Sequence, residues 1–212
     1  MNLFDANSIV ANLGLAGILA ILFAETGLLI GLAFPGDSLL FIAGLAASGS
    51  AAALLGGVHL SPAALFIGAP LAAIVGSQVG HLIGAKYGRK LFDRPDGRFF
   101  TQTRVHSTEK WLNKYGIGKA IILARFIPFV RTLINPVCGV VGISARKFFI
   151  WNSIGAVIWT EAVMSLGYVL GEKLKGSVDK YLLPIIALIV LVSLAPIALE
   201  VVREVRTKRH LS

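Results

Sequence analysis

Residues 120–136 read Ala120-Ile-Ile-Leu-Ala-Arg125-Phe-Ile-Pro128-Phe-Val-Arg131-Thr-Leu-Ile-Asn135-Pro136, an apolar run holding two arginines and two prolines. A proline lacks the backbone donor that a helix interior needs, so the run is not one continuous helix. The surroundings point to lipid. Of 212 residues 56% are hydrophobic and 15% charged, against about 25% charged in a soluble domain. Residues 148–170 carry one charge, Glu161, and residues 181–202 one charge, Glu200. A helix crossing the hydrocarbon core needs about 20 residues, and both runs supply them. Broken backbone at membrane depth survives only where protein covers it or it lines a wet cavity. Residues 117–143 therefore read as a re-entrant hairpin that returns to the face it entered.

A second broken segment lies upstream. Residues 15–56 are apolar but interrupted at Glu25 and at Phe34-Pro35-Gly36-Asp37, where proline stops a helix and glycine permits a sharp turn. Residues 1–14 read as a short interfacial segment, and 60–85 as a glycine-spaced span entering the basic stretch 86–119. Residues 146–171 and 180–202 are plain spans, and a basic tail runs from Arg203 to Arg209. No lysine or arginine precedes the first apolar run and no cleavage site follows it, so it does not read as a secretory signal.

The charge of +9 flanks apolar segments, which suits membrane topology and not nucleic acid. With a re-entrant second segment, 15 of the lysines and arginines fall on one face and 3 on the other; with a crossing one, the split is 12 against 6. The positive-inside rule favours the first arrangement, with loop 86–119 and the tail cytoplasmic. Ala20-Ile-Leu-Phe-Ala-Glu25 is echoed 100 residues later by Ala120-Ile-Ile-Leu-Ala-Arg125, each ahead of a proline-containing break. The two units then enter from opposite faces, as inverted repeats of transporters do. The expected fold is all-α, a polytopic membrane protein with an inverted repeat of two re-entrant helical hairpins plus about three full transmembrane helices. It is one membrane domain: a first repeat over about 1–92, an amphipathic connector over about 93–116, a second repeat over about 117–171 and an extra span over about 180–202.

Ionisable groups inside a membrane mark a pathway or binding site by default. Glu25 and Asp37 sit in the first broken segment, Arg125 and Arg131 in the second. Arginine offers a permanently charged planar fork for phosphate or carboxylate. A buried carboxylate responds to desolvation and neighbouring charge, which suits proton coupling. The assignment is Arg125 and Arg131 to substrate, and Glu25 and Asp37 to protons. Blander readings stand beside it: Asp37 also suits a helix cap, and Glu25 a structural partner for an arginine. The six-residue spacing of the arginines across Pro128 does not say whether they share a face. Glu161 and Asn152 are further candidates. His81 reads as an interhelical packing group, and the glycines at 76, 80, 84 and 88 as a close-packing ladder. His59 and His106 lack metal-ligand spacing, so neither a metal nor another cofactor is expected. Cys138 is the single cysteine.

The stretch Glu25 to Gly44, with Phe34-Pro35-Gly36-Asp37 and Leu39-Leu-Phe-Ile-Ala-Gly44, resembles the first signature of the DedA family of VTT-domain proteins. Ala124-Arg125-Phe-Ile-Pro-Phe-Val-Arg131, followed by Gly139, Gly142, Phe148, Asn152, Gly155, Ala156 and Trp159, resembles the second. The likeness covers residues 15–171. It departs from the family pattern at Ser77, where Gly-Asp is usual, and at His81, where Gly-Tyr is usual. The resemblance implies paired re-entrant hairpins like those of VTT-domain lipid scramblases. It also implies a function in recycling undecaprenyl phosphate or in proton-dependent homeostasis, with Glu25, Asp37, Arg125 and Arg131 at the family's functional positions.

The expectation is a flippase for a lipid phosphate, undecaprenyl phosphate first among candidates, coupled to protons and resident in the cell inner (plasma) membrane. Glu25 and Asp37 would neutralise Arg125 and Arg131 until a phosphate displaced them. The alternatives are a proton-coupled small-ion or drug transporter and a lipid scramblase. The expected partners are a membrane polyprenyl phosphate and protons, without nucleic acid; homo-oligomerisation stays open. No nucleophile or base stands beside the arginines in sequence, so an enzyme is not expected.

Overall fold

The computed structural model describes residues 6–27, 36–49, 60–92 and 102–173. Among them are seven α-helices and no strand: α1 (Ala6–Gly27), α2 (Gly36–Ala47), α3 (Pro62–Phe92), α4 (Gln102–Tyr115), α5 (Ile117–Ala124), α6 (Pro128–Val140) and α7 (Ala145–Lys173). The Phe34-Pro35 part of the first break, the 180–202 span and the basic tail lie outside the described residues.

Helix length sorts the elements. At about 1.5 Å per residue, α3 and α7 reach well over the roughly 30 Å of a hydrocarbon core. They are the two described helices long and apolar enough to cross, over Pro62–Gly88 and Ala145–Lys173. Both show large apolar side chains outward. On α3 these are Ile67, Leu71, Val75 and Leu82, and on α7 they include Ile150, Ile154, Val157, Ile158 and Leu166. A row at four-residue spacing makes one continuous face, and an apolar face of this extent belongs in lipid and not in water. Helices α2, α5 and α6 are 12, 8 and 13 residues long, too short to cross alone.

Each helix end has a local cause. Pro62 opens α3 with Ser61 before it, whose Oγ accepts from the Ala64 N–H at 3.4 Å. Helix α1 is kinked at Gly14, φ 57° and ψ −150°. The break between α5 and α6 spans Arg125, Phe126 and Ile127. Phe126 and Ile127 N–H groups donate to Leu123 and Ala124 carbonyls at 3.1 Å, tightening the last turn of α5. Ile127 is extended and Pro128 starts α6, as a residue ahead of proline prefers. Gly142 closes α6 at φ 83°; its N–H donates to Gly139 O at 3.2 Å and that of Ile143 to Cys138 O at 3.0 Å. This is a Schellman stop, which needs a left-handed residue.

The packing interleaves the two halves of the chain. Helix α1 lies on α3 and α2, and α5 lies on α7 and α6. The second helix of each short pair crosses to the other half: α2 packs on α7, and α6 on α3. The long helices α3 and α7 also meet each other. A core of Ile18, Leu22, Leu40, Ile42, Leu45, Leu65, Ala73 and Met164 joins α1, α2, α3 and α7. The α3 glycine ladder packs against both broken segments: Gly76 and Gly80 meet α1, and Gly84 and Gly88 meet α6. Helix α4 turns Leu112, Trp111 and Tyr115 onto α5, with Trp111 Nε1 donating to Ala120 O at 3.2 Å, and exposes Lys110, Asn113 and Lys114. Helix α4 is thus amphipathic.

Candidate functional site

The interleaving brings together the ends of α1 and α2 and the break between α5 and α6. Glu25 is near the end of α1, Asp37 is the second residue of α2, Arg125 directly follows α5, and Arg131 is in the first turn of α6. Glu25, Arg125 and Arg131 are 2%, 1% and 6% exposed. Arg131 holds both acids: Nη2 donates to Glu25 Oε1 and Nη1 to Asp37 Oδ1, each at 2.5 Å. One planar fork thus ties α6 to α1 and α2. Asp37 gains from its place at a helix N-terminus, where backbone N–H groups favour negative charge. Gly36 lets the Glu25 carboxylate lie against the start of α2, since a Cβ there would fall 1.4 Å from Glu25 Oε2.

The sequence suggests that the two acids neutralise both arginines; the structure places both acids on Arg131. Arg125 faces another way, between α3 and α7. Its Nη2 donates to Ser77 Oγ at 2.6 Å and to Asn152 Oδ1. Ser77 Oγ–H donates to Ala73 O at 2.8 Å, and Asn152 Nδ2 donates to Ile74 O at 3.2 Å. The reason is the break itself. Arg125 leaves at the end of α5, which lies on α7, while Arg131 rides on α6. Helical periodicity does not carry across residues 125–127. Asn152, an added candidate, is therefore at the cluster. Glu161, the other, is half-buried on α7 and has no ion pair or hydrogen bond among the described residues.

Three contributors escaped assignment from the sequence. Trp159 donates Nε1–H to Asp37 Oδ1 at 3.0 Å and lies under Arg131, with the guanidinium carbon 4.5 Å from the ring centroid. Stacking of this kind favours arginine over lysine. Ser77 supports Arg125, and Asn135 Nδ2 donates to Thr26 O at 2.8 Å, closing the end of α1 onto α6. A signal existed for Trp159: it stands seven residues after Asn152, two helical turns along one face of α7. His81 serves packing, stacked on Phe148 with centroids 4.5 Å apart and its Nε2 2.9 Å from Ile143 O. Among the described residues no cluster of histidine, cysteine, aspartate or glutamate suits a metal.

With both acids ionised, two carboxylates and two guanidinium groups leave the cluster neutral. Paired buried charges of this kind contribute little net stability, because desolvation offsets their attraction. Their chemical capacity is exchange: an entering oxyanion can take the place of a carboxylate on an arginine, and a proton can restore neutrality.

The VTT domain matches residues 34–169. The chain is 40% identical over 186 residues to Protein DedA of Escherichia coli K12, covering 88% of this chain and 81% of that protein. It is 37% identical over 205 residues to an uncharacterized membrane protein of Mycobacterium tuberculosis, covering 97% and 86%. It is 31% identical over 163 residues to the inner membrane protein YghB of Salmonella typhimurium, covering 71% and 65%. No solved structure matches the chain.

Proposed function

Because the chain belongs to the DedA family of VTT-domain membrane proteins, we propose that it carries a lipid phosphate across the inner membrane in exchange for protons. Undecaprenyl phosphate is the foremost candidate. The observation that carries the reading is the buried fork of Arg131 on Glu25 and Asp37, contributed by opposite halves of an interleaved, lipid-facing bundle. A phosphate competes for an arginine fork on the same geometric terms as a carboxylate. Displaced from Arg131, Glu25 and Asp37 take up protons, so head-group entry and proton entry are coupled by charge balance. The tail stays in lipid along the apolar faces of α3 and α7.

In this reading the α1–α2 and α5–α6 pairs are re-entrant hairpins entering from opposite faces, and their breaks meet at the site. The basic loop then lies in the cytoplasm. In a Cys138→Ala background, an Asn113→Cys thiol on the exposed face of α4 is expected to react with an impermeant maleimide only after cells are opened. Reaction in intact cells would reverse the orientation.

Trp159 orients the acid side of the fork. Trp159→Phe keeps the ring beneath Arg131 and removes the bond to Asp37. Loss of one hydrogen bond to a charged group is expected to slow transport about tenfold, with the amount of inserted protein unchanged. Unaltered transport would remove Trp159 from the site.

The direct test uses proteoliposomes and fluorescent polyprenyl phosphates of several tail lengths, with the matching alcohols and small anions as comparison. Movement confined to phosphate lipids and dependent on the tail is expected. Flux of small anions or cationic drugs without lipid movement would favour the small-ion or drug transporter instead. Movement of uncharged lipids at equal rate would make the protein a scramblase.

A further inference from the structure

Glu161 lies near the middle of the 29-residue α7, on the side turned away from the bundle. One turn before it, Val157 and Ile158 are 41% and 47% exposed; two turns to either side, Ile154 and Val169 are 41% and 48% exposed. The opposite side of α7 is filled: Asn152, Gly155, Ala156, Trp159, Met164 and Gly167 are buried there, and α2, α3 and α5 pack on the helix. At about 1.5 Å per residue, Glu161 is about 18 Å along the axis from Lys173 and farther from Ala145. A glutamate side chain does not reach either interface over such a distance. Among the described residues the carboxyl has no ion pair or hydrogen bond. A carboxyl facing hydrocarbon is costly even when neutral unless it meets a polar partner.

The sequence beyond α7 supplies such a partner at the right depth. Leu174-Lys-Gly-Ser-Val-Asp-Lys180 separates α7 from the apolar run 181–202. A connection of this length holding glycine and aspartate joins antiparallel neighbours. With the inner side of α7 occupied, a returning span meets its outer side. Glu161 stands twelve residues before Lys173, and Ser193 stands twelve after Tyr181. Counted as helix from the connector, the two are level. Between Tyr181 and Glu200, Ser193 is the polar side chain of the run. Pro196 adds a second polar group beside it. Proline has no N–H, so in a helix the carbonyl four residues earlier, that of Val192, lacks its donor. A hydroxyl next to a free carbonyl matches a neutral carboxyl, which offers one O–H donor and an acceptor oxygen.

We propose that residues 181–202 dock antiparallel on the outer face of α7, with Glu161 bonded to the Ser193 hydroxyl and the Val192 carbonyl. The contact is independent of what the charge cluster carries. It leaves the apolar face of α3 open to lipid.

The test is disulfide formation in isolated membranes, in a Cys138→Ala chain with a protease site inserted in 174–180. Oxidation is followed by cleavage, so fragments stay joined only where a disulfide links them. The antiparallel register pairs Ser165 with Ile189 and Val157 with Ile197, each one turn from Glu161 or Ser193. Ser165→Cys with Ile189→Cys, and Val157→Cys with Ile197→Cys, are expected to hold the fragments together. Both pairs are expected to link at least about tenfold faster than Ser165→Cys with Leu191→Cys, whose second position is on the far side of the span. Glu161→Gln keeps a donor and an acceptor and is expected to leave the rates unchanged. Glu161→Leu is expected to slow both pairs at least about threefold, the value of one hydrogen bond between helices in a membrane. Ser193→Ala removes the partner from the other helix; it is expected to slow them too and to add little to Glu161→Leu.

Fragments that separate in both facing pairs, or that link no faster than the Leu191→Cys control, would overturn the docking. A disulfide-linked dimer from Ser165→Cys alone would give this face to a second copy of the chain and overturn it as well. Unchanged rates in Glu161→Leu and in Ser193→Ala would overturn the role of the carboxyl. If Glu161→Leu fails to insert, the Ser193→Ala rates decide.

Discussion

Arg131→Ala is expected to abolish lipid-phosphate movement and to destabilise the folded protein by about 3–5 kcal/mol. The size follows from what the truncation leaves behind. Glu25 and Asp37 stay beside each other, Glu25 fully enclosed, without the fork that meets both at 2.5 Å. The loss is the cost of stranded charge more than the net value of the pair. Arg131→Met combined with Glu25→Gln and Asp37→Asn removes all three charges at similar volume. That triple variant is expected to regain most of the stability and none of the movement. Unfolding in detergent and the proteoliposome assay on the same preparations check both halves. Restored transport in the triple variant would mean that the charges serve architecture alone.

The second large effect concerns the helix crossings. A Cβ on Gly139 of α6 would lie 2.2 Å from His81 O and 2.5 Å from Ala85 N, both backbone atoms of α3. A Cβ on Gly167 of α7 would lie 2.2 Å from Phe41 O of α2. Backbone inside a helix does not step aside, so Gly139→Ala or Gly167→Ala forces the helices apart. Overpacking of this kind costs about 1–3 kcal/mol. Transport suffers more than stability does. Helix α6 carries Arg131 and α2 carries Asp37, and a shift of about 1 Å is large for a preorganised site. Each variant is expected to insert and to move lipid at least about tenfold more slowly than Leu71→Ala, a change on the lipid-facing side of α3. Equal rates would show that the site tolerates displacement of its supporting helices.

The sequence announces the pieces of this site more clearly than their pairing. Charges between proline breaks in apolar runs are visible because lipid makes each of them expensive. Asp37, Glu25, Arg125 and Arg131 stand out for that reason, and Asn152 through the second motif. Helix α3 and helix α7 follow from apolar run length. The assignment of both acids to Arg131 was not legible. It depends on how α6 lies across α3, and the step from Arg125 to Arg131 leaves the helix over Arg125, Phe126 and Ile127. Trp159 was hidden for a different reason: an aromatic within an apolar span reads as core or lipid contact until its N–H finds an acceptor. Ser77 reads only as a small residue on a glycine ladder. Its meaning comes from the guanidinium that α5 delivers to it. Glu161 shows the converse, a conspicuous charge in a plain span that the fold leaves away from the cluster.

The central claim is that proton and head group trade places on this charge cluster. The measurement that tests it most directly is head-group movement of a fluorescent short-chain polyprenyl phosphate in proteoliposomes, with and without a pH gradient, in the wild type and in Glu25→Gln. The account predicts that the gradient accelerates movement in the wild type. It also predicts that Glu25→Gln, inserted to the same level, loses the response to the gradient. Movement by the wild type that ignores the gradient, or a Glu25→Gln protein that still follows it, would contradict the account.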